Sequence, residues 1–172
     1  MSFPGFAAER IAPIAGADYA PFLLEQFRTA RWRIWASIFI VELRNEFDVS
    51  LSVRRFLNEF EQSAWRGVDV RLLVGVSDTL DIRLSNAVAT GYLAARSLAV
   101  RRYRPAQHNV STHSKYIVVD ADRVIVGGHN WSPGSLEQHQ QDSVAVYSTD
   151  LNRLLGSEFL ALWREAPPVE AP

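Results

Sequence analysis

The chain has 172 residues, of which 48% are hydrophobic and 22% charged, and this predicts one globular domain with a substantial core. Its formal net charge of -1 and its lack of cysteine exclude a globally cationic surface, a disulfide framework, a thiolate zinc site and a cysteine nucleophile. Any affinity for phosphate must therefore be local.

The predicted elements alternate between helices and strands. Residues 18–30 have apolar side chains at helical spacing, and an apolar, strand-like run follows at 33–41. A second helical pattern at 51–65 stops at Gly67 and leads into an interior strand at 68–74. Then come a helix at 78–97, a strand at 98–103, a turn at 105–109, strands at 115–119, 123–126 and 143–147, and a helix at 151–163. This order predicts an α/β fold, a mixed β-sheet flanked by helices on both faces.

The ends of the chain and its apolar runs predict where the protein resides. We expect one domain over residues 1–165 and a Pro-rich, disordered tail at 166–172. The N-terminus lacks the cationic and apolar regions of a secretory signal, and the run at 34–41 is far shorter than the ~20 residues that span a bilayer. These features predict a cytoplasmic protein without stable membrane insertion.

The basic residues are unevenly distributed between the two types. Of the eighteen, seventeen are arginine, and the single lysine is Lys115. A compact ammonium and a planar guanidinium are not equivalent in a tight site. We therefore expect Lys115 to occupy one.

The most informative stretch runs from residue 113 to residue 130. If His113 begins a strand, a period of two places it on the same face as Lys115, about 6 to 7 Å away along the backbone. Gly127 and Gly128 end the neighbouring strand without side chains, so a ligand can approach the backbone there. Asn130 then offers an amide donor. Together these residues predict an anion pocket at one end of the sheet.

The residue types in this pocket suit phosphodiester cleavage. A phosphodiester is an anion with a poor leaving group, so its cleavage needs charge neutralisation, a nucleophile and an acid. Covalent attack by His113 gives a phosphohistidine, with Lys115 and Asn130 holding the non-bridging oxygens and no metal or other cofactor. One copy lacks a second imidazole for the leaving oxygen. A twofold-symmetric homodimer supplies it.

The full spacing resembles a known motif. The series His113-x-Lys115-x4-Asp120-x6-Gly127-Gly128-x-Asn130 is similar to the HKD motif of the phospholipase D superfamily. Double-motif members of the family carry two such motifs in one chain. This chain has one motif, so it resembles the single-motif, homodimeric nucleases. The resemblance implies half of the double-motif fold over residues 18–163. It also implies that His113 is the nucleophile in one subunit and the general acid or base in the other.

The chain departs from the family pattern at two positions. The family usually has Gly-Ser where this chain has Gly127-Gly128, so phosphate contact there falls to the backbone. Members often have a glutamate further on that orients the histidine, and the best counterpart in the run Gln140-Gln141-Asp142 is Asp142. Its side chain is one methylene shorter than glutamate.

Other residues near the motif have two interpretations each. Asp120 belongs to the motif and to our catalytic candidates, yet an aspartate between two strands is more often a turn former, and we favour that structural role. Trp131 either stacks on a base or packs in the core, whereas we expect His129 against the opposite wall or in solvent. Arg102 and Arg104, within a run of cations around a tyrosine, either contact a phosphate backbone or lie on a solvated strand edge. The four histidines, His108, His113, His129 and His139, do not have the spacing of a metal site.

These features leave three functional hypotheses. The leading one is a homodimeric, metal-independent endonuclease that cleaves DNA or RNA. The second is a phospholipase D or transphosphatidylase, and the third is a phosphate-binding module that has lost turnover.

Overall fold

The computed structural model describes residues 5–43, 51–105 and 112–170, and these form seven strands and four α-helices. In chain order they are β1 (Arg10–Ala15), α1 (Tyr19–Thr29), β2 (Arg33–Ile38), α2 (Leu51–Trp65), β3 (Asp69–Gly75), α3 (Leu80–Ala94), β4 (Ala99–Tyr103), β5 (Lys115–Val119), β6 (Arg123–Gly127), β7 (Asp142–Tyr147) and α4 (Thr149–Glu165). A π-helical turn, Gly134–Gln138, lies between β6 and β7.

The strands form one mixed sheet with the order β1-β7-β6-β5-β2-β3-β4. The strands β2, β3 and β4 are parallel, because α2 and α3 return the chain to the same end of the sheet each time. The other four strands pair antiparallel, and β5 joins the two groups by pairing with β2. The C-terminal end of β2 therefore lies beside the N-terminal end of β5.

Helices cover both faces of this sheet, as predicted from the sequence. The helix α2 buries Val53, Phe56, Leu57 and Phe60, whose spacing puts them on one stripe facing the sheet together with α1 and α3. The other face packs against α4, where Trp35, Phe159 and Trp163 stack in a second cluster. The sheet thus separates a larger hydrophobic cluster on one face from a smaller cluster on the other.

Two parts of the chain differ from the sequence-based expectation. The strand β1 was not predicted, because its run is short and interrupted by Pro13, a residue that an edge strand tolerates. The tail expected to be disordered begins at residue 166, and the structure places residues 166–170 against the sheet. Ala166 is buried, and the backbone N–H of Val169 donates to Val100 in β4. Residues 106–109 of the predicted turn, which include His108, lie outside the described residues.

Candidate active site

His113 and Lys115 meet where β5 begins. The ammonium Nζ of Lys115 lies 2.9 Å from Nδ1 of His113 and also donates to the carbonyl oxygen of His113 at 2.9 Å. The imidazole is exposed, whereas the lysine is half-buried. The structure therefore brings the predicted imidazole and ammonium together at the predicted end of the sheet.

The surroundings of this pair lower the pKa of both its members. Partial burial and the positive charge of Lys115 both lower the pKa of His113 below its ordinary value. Burial also lowers the pKa of Lys115. A neutral imidazole has a free lone pair, and an anion beside the ammonium would offset its lost hydration. Both shifts suit a site that receives a phosphate.

The aromatic ring of Phe39, just after β2, forms a wall of the site. Its centroid lies 4.3 Å from that of His113 and 5.4 Å from Nζ of Lys115. Gly75 permits this packing, because a Cβ there would lie 2.5 Å from the carbonyl oxygen of Thr112 and 2.8 Å from the Phe39 ring.

Sequence reasoning missed both Phe39 and Gly75. It also missed the buried Asn86 on α3, whose amide donates to the carbonyl oxygens of Phe39 and Gly75 and accepts from the Val41 N–H. A glycine at a strand end and an amide inside an amphipathic helix were the available signals, but neither is specific.

Asn130 is held by the chain that follows β2. Its side-chain Oδ1 accepts from the backbone N–H of Ile40 at 3.2 Å, and its own N–H donates to Ser135. With the carbonyl side of the amide fixed in this way, the NH₂ group is the part left to donate. Ile40 adjoins Phe39, so Asn130 and His113 both pack against the same short segment.

The two glycines of the motif differ in the physical reason for having no side chain. A Cβ on Gly127 would overlap the side chain of Ser143 on β7 and come within 2.5 Å of the Ser143 Cα, so this glycine permits close strand packing. A Cβ on Gly128 would meet no atom closer than 3.8 Å. The backbone of Gly128 is exposed at the end of β6. Both glycines are exposed, as expected for a pocket at this end of the sheet, but only Gly128 has room for a side chain.

Asp120 lies at the opposite end of β5, five residues or about 16 Å from Lys115. Its carboxylate accepts from the backbone N–H groups of Arg31, Trp32 and Arg33 and forms an ion pair with Arg123 at 2.8 Å. Its inclusion among catalytic candidates is therefore corrected to the structural role, which the sequence interpretation favoured. The carboxylate oxygens of Asp120 that catalysis would need already accept these hydrogen bonds.

Trp131 and His129 both lie in the core. Trp131 is fully buried among Phe27, Phe56 and Phe60, which excludes the proposed stacking on a base. His129 was expected at a wall or in solvent, but it is 1% exposed and stacks on Tyr19 with centroids 4.0 Å apart. The alternation along the chain after β6 turns both rings inward, toward α1 and α2.

In the part of the chain that the structure describes, Asp142 makes no contact with His113. It begins β7, opposite Ala15 of β1, and its charge acts on buried His129, where it opposes the lowering of the pKa by burial. The preceding Gln141 donates from Nε2 to the carbonyl oxygen of Gly128 at 3.3 Å, while its Oε1 is buried without a hydrogen bond. The sequence-based assignment of Asp142 as the histidine-orienting group is therefore not supported by the geometry.

Arg102 and Arg104 lie at the same end of the sheet as His113. Arg102 pairs in register with Val74, and Arg104 forms an exposed ion pair with Asp78 at 2.8 Å. Two strands, β2 and β3, separate β4 from β5, so the distance between these arginines and the imidazole is about 14 Å. Several nucleotides of a bound strand would be needed to reach both.

Metal-binding clusters and membrane-spanning helices are both absent from residues 5–43, 51–105 and 112–170. There, no three or more His, Cys, Asp or Glu side chains are grouped so that they could hold a metal ion. Likewise, none of the helices in those ranges has the length and apolarity needed to cross a membrane.

Comparisons with known proteins agree with this geometry. A family model described as "Cardiolipin synthase, PLD-like domain" matches residues 23–163. Mitochondrial cardiolipin hydrolase of Mus musculus is 26% identical over 105 residues, which are 61% of this chain and 44% of that protein. The chain thus spans less than half the length of this curated relative.

Solved structures share the fold. The phospholipase D family member Nuc from Salmonella typhimurium superimposes with a TM-score of 0.75 at 15% identity, over 94% of this chain and all of that one. NucT from Helicobacter pylori gives a TM-score of 0.72 at 14% identity, over 93% of this chain and all of that one. At these identities the likeness concerns the architecture of sheet and helices.

Proposed function

Because this chain belongs to the phospholipase D superfamily, in the family described as cardiolipin synthase, PLD-like domain, we propose that it is a metal-independent endonuclease acting on DNA or RNA. The observation that supports this most is the contact between Lys115 and His113, with Asn130 held beside the same segment. The proposal combines a nucleophile with two donors for phosphate oxygens. Neither cofactor nor metal takes part.

The reaction proceeds in two displacements. A ring nitrogen of His113 forms a bond to phosphorus while the bond from phosphorus to the leaving oxygen breaks, and a second, protonated imidazole gives its proton to that oxygen. Water then attacks the phosphohistidine, and the second imidazole takes back a proton. The nitrogen–phosphorus bond breaks and returns its electron pair to His113. Lys115 and Asn130 stabilise the charge on the non-bridging oxygens in both steps.

The resting contact has a consequence for binding. An ammonium has no lone pair, so in the contact with His113 it is Lys115 that donates, to the lone pair of Nδ1. Attack by the other nitrogen, Nε2, requires the ring proton on Nδ1. A phosphate oxygen that draws Lys115 away frees Nδ1 to take that proton. Substrate binding thus prepares the nucleophile.

The second imidazole comes, in this proposal, from a second copy of the chain. A surface for such a homodimer is available on the sheet face that carries α4, because this helix leaves β6, β7 and β1 partly uncovered. Three apolar side chains there are exposed: Ile11, Val126 and Val144. They face the same side in the strand register. Val126 and Val144 lie next to the end of β6 that leads into Gly128, whereas Ile11 lies level with Val124, nearer the other end of β6.

Nucleic acid is the proposed substrate because Arg102 and Arg104 extend the cationic side of the site along the ends of the parallel strands. A lipid phosphodiesterase is the second candidate. The description of the matching family and the name of the mouse relative support it. A binding module without turnover is the third candidate, because Gly128 lacks the usual hydroxyl and no carboxylate contacts His113 among the described residues.

One experiment separates the three. Purified protein is incubated in excess chelator with single- and double-stranded DNA, with RNA and with phospholipid vesicles, and products are measured. We expect nucleic acid cleavage, which His113→Ala abolishes and Lys115→Arg reduces by at least about 100-fold, since a guanidinium cannot replace the compact ammonium. Cleavage lost in chelator contradicts the mechanism. Lipid products alone support the second candidate, and binding without products the third.

A further inference from the structure

Two of the five tryptophans are highly exposed. Trp32 and Trp65 are 67% and 69% exposed, whereas Trp35, Trp131 and Trp163 are buried. An indole is a large apolar surface with one polar N–H, and two such groups in water mark a surface that contacts another phase or molecule.

Both tryptophans lie at the end of the sheet opposite His113. Trp32 precedes β2, Trp65 ends α2 before β3, and these strands are parallel neighbours. The backbone of Trp32 is fixed, since its N–H donates to Asp120 at 2.8 Å and its carbonyl accepts from Asp69 at 2.9 Å. These hydrogen bonds hold the connection that carries Trp32 against the start of β3.

The exposed charges around these tryptophans are mainly positive. Residues 28–33, 65–71 and 120–123, together with Glu59, contain six arginines and four carboxylates, although the whole chain has a net charge of -1. The side chain of Glu59 is only 14% exposed and is shared by Arg28 and Arg66, which are 53% and 40% exposed.

The other three acids of these segments are also withdrawn from solvent or paired. The carboxylate of Asp120 is 13% exposed, and Asp69 and Asp122 form ion pairs with arginines. Exposed Arg31 forms no ion pair with any residue that the structure describes. Within these segments, arginines therefore outnumber carboxylates at the exposed surface.

We infer that Trp32, Trp65 and Arg31 form a docking surface for a bilayer that contains anionic phospholipids. Indoles favour the headgroup region, where the ring is partly buried and the N–H stays hydrated, and arginines attract lipid phosphates. A nucleic acid would need a groove that follows its backbone, whereas these indoles extend from the ends of two connections. Peripheral docking of this kind requires no membrane-spanning helix.

Docking in this way sets the orientation of the active site. The sheet extends from the docking surface to His113, so the site faces away from the membrane. A protein bound like this acts on substrates in the aqueous phase. It cannot reach phosphodiesters of the membrane on which it rests.

The test uses the whole chain and vesicles of defined composition. Sedimentation with phosphatidylcholine vesicles is compared with sedimentation with vesicles that contain about 30% phosphatidylglycerol. We expect binding to the anionic vesicles, with a blue shift of tryptophan emission that comes from Trp32 and Trp65, because the other three indoles are already buried. The variant Trp32→Ala/Trp65→Ala should bind at least about tenfold more weakly and lose the shift. Arg31→Glu should weaken binding to anionic vesicles only.

Two controls separate this docking from the proposed catalysis. Leu84→Ala removes another exposed apolar side chain, 55% exposed on α3, and should bind vesicles normally. His113→Ala should also bind normally, so a failure of the proposed function leaves this result intact. The inference is overturned if the wild type does not bind anionic vesicles or the double variant binds equally well. It is also overturned if the double variant loses self-association or oligonucleotide binding instead, since the occupant would then be a second copy or a nucleic acid.

Discussion

At the scale of single residues, the protonation of His113 decides whether it can act as a nucleophile. Its pKa is lowered by burial and by Lys115, so the neutral ring persists below the ordinary value of 6.5. Protonation therefore requires a lower pH than for an exposed histidine. NMR titration of the His113 ring should give a midpoint below 6.5, and Lys115→Gln should move it upward. A midpoint unchanged by that substitution would show that the two groups are not coupled.

The two motif glycines should respond differently to added side chains. Gly127→Ala forces a Cβ against Ser143 and should destabilise the fold by about 2 kcal/mol or more in urea unfolding. Gly128→Ser finds open space and should change stability by less than about 0.5 kcal/mol. It also restores the hydroxyl that is usual in the family, so we expect cleavage to be retained or increased. Equal stability losses in both variants would contradict this assignment.

At the scale of elements, the turn between β5 and β6 shows how a motif residue can serve the fold. Asp120 adopts a positive φ of 49° and joins this turn to the start of β2 through three backbone N–H groups and to β6 through Arg123. Asp120→Ala leaves those donors unpaired and should lower the free energy of unfolding by about 2 to 5 kcal/mol. The kcat of the folded variant should stay within about threefold of the wild type, because the carboxylate is far from the imidazole. A stable but inactive Asp120→Ala variant would show that Asp120 has a catalytic role.

The segment after β2 positions much of the site. Phe39 contacts His113, and Ile40 contacts Asn130. Asn86 on α3 holds the same segment by donating to the carbonyl oxygen of Phe39. The site therefore depends on contacts between elements that are distant in sequence. A motif at residues 113–130 gives no information about these supports.

At the scale of the whole molecule, the proposed shared site predicts how mixed dimers behave. Each composite site needs both imidazoles, so a dimer of one wild-type and one His113→Ala subunit should be inactive. Refolding equal amounts of the two chains together should then leave about a quarter of the wild-type activity, whereas independent sites would leave half. Val144→Asp, on the uncovered sheet face, provides a second measurement, since it should yield monomers in sedimentation velocity and abolish cleavage.

The sequence by itself determined the alternation of elements, the mixed sheet with helices on both faces, and the positions of His113, Lys115 and Asn130, because periodicity and motif spacing are local properties. Only the tertiary structure decided that Trp131 and His129 are buried, that Asp120 binds the backbone N–H groups at the start of β2, that Asp142 does not reach His113, and that Trp32 and Trp65 share one exposed end. The physical reason is that burial and proximity depend on which strands become neighbours. Here the pairing of β5 with β2 joins segments about 80 residues apart in the chain.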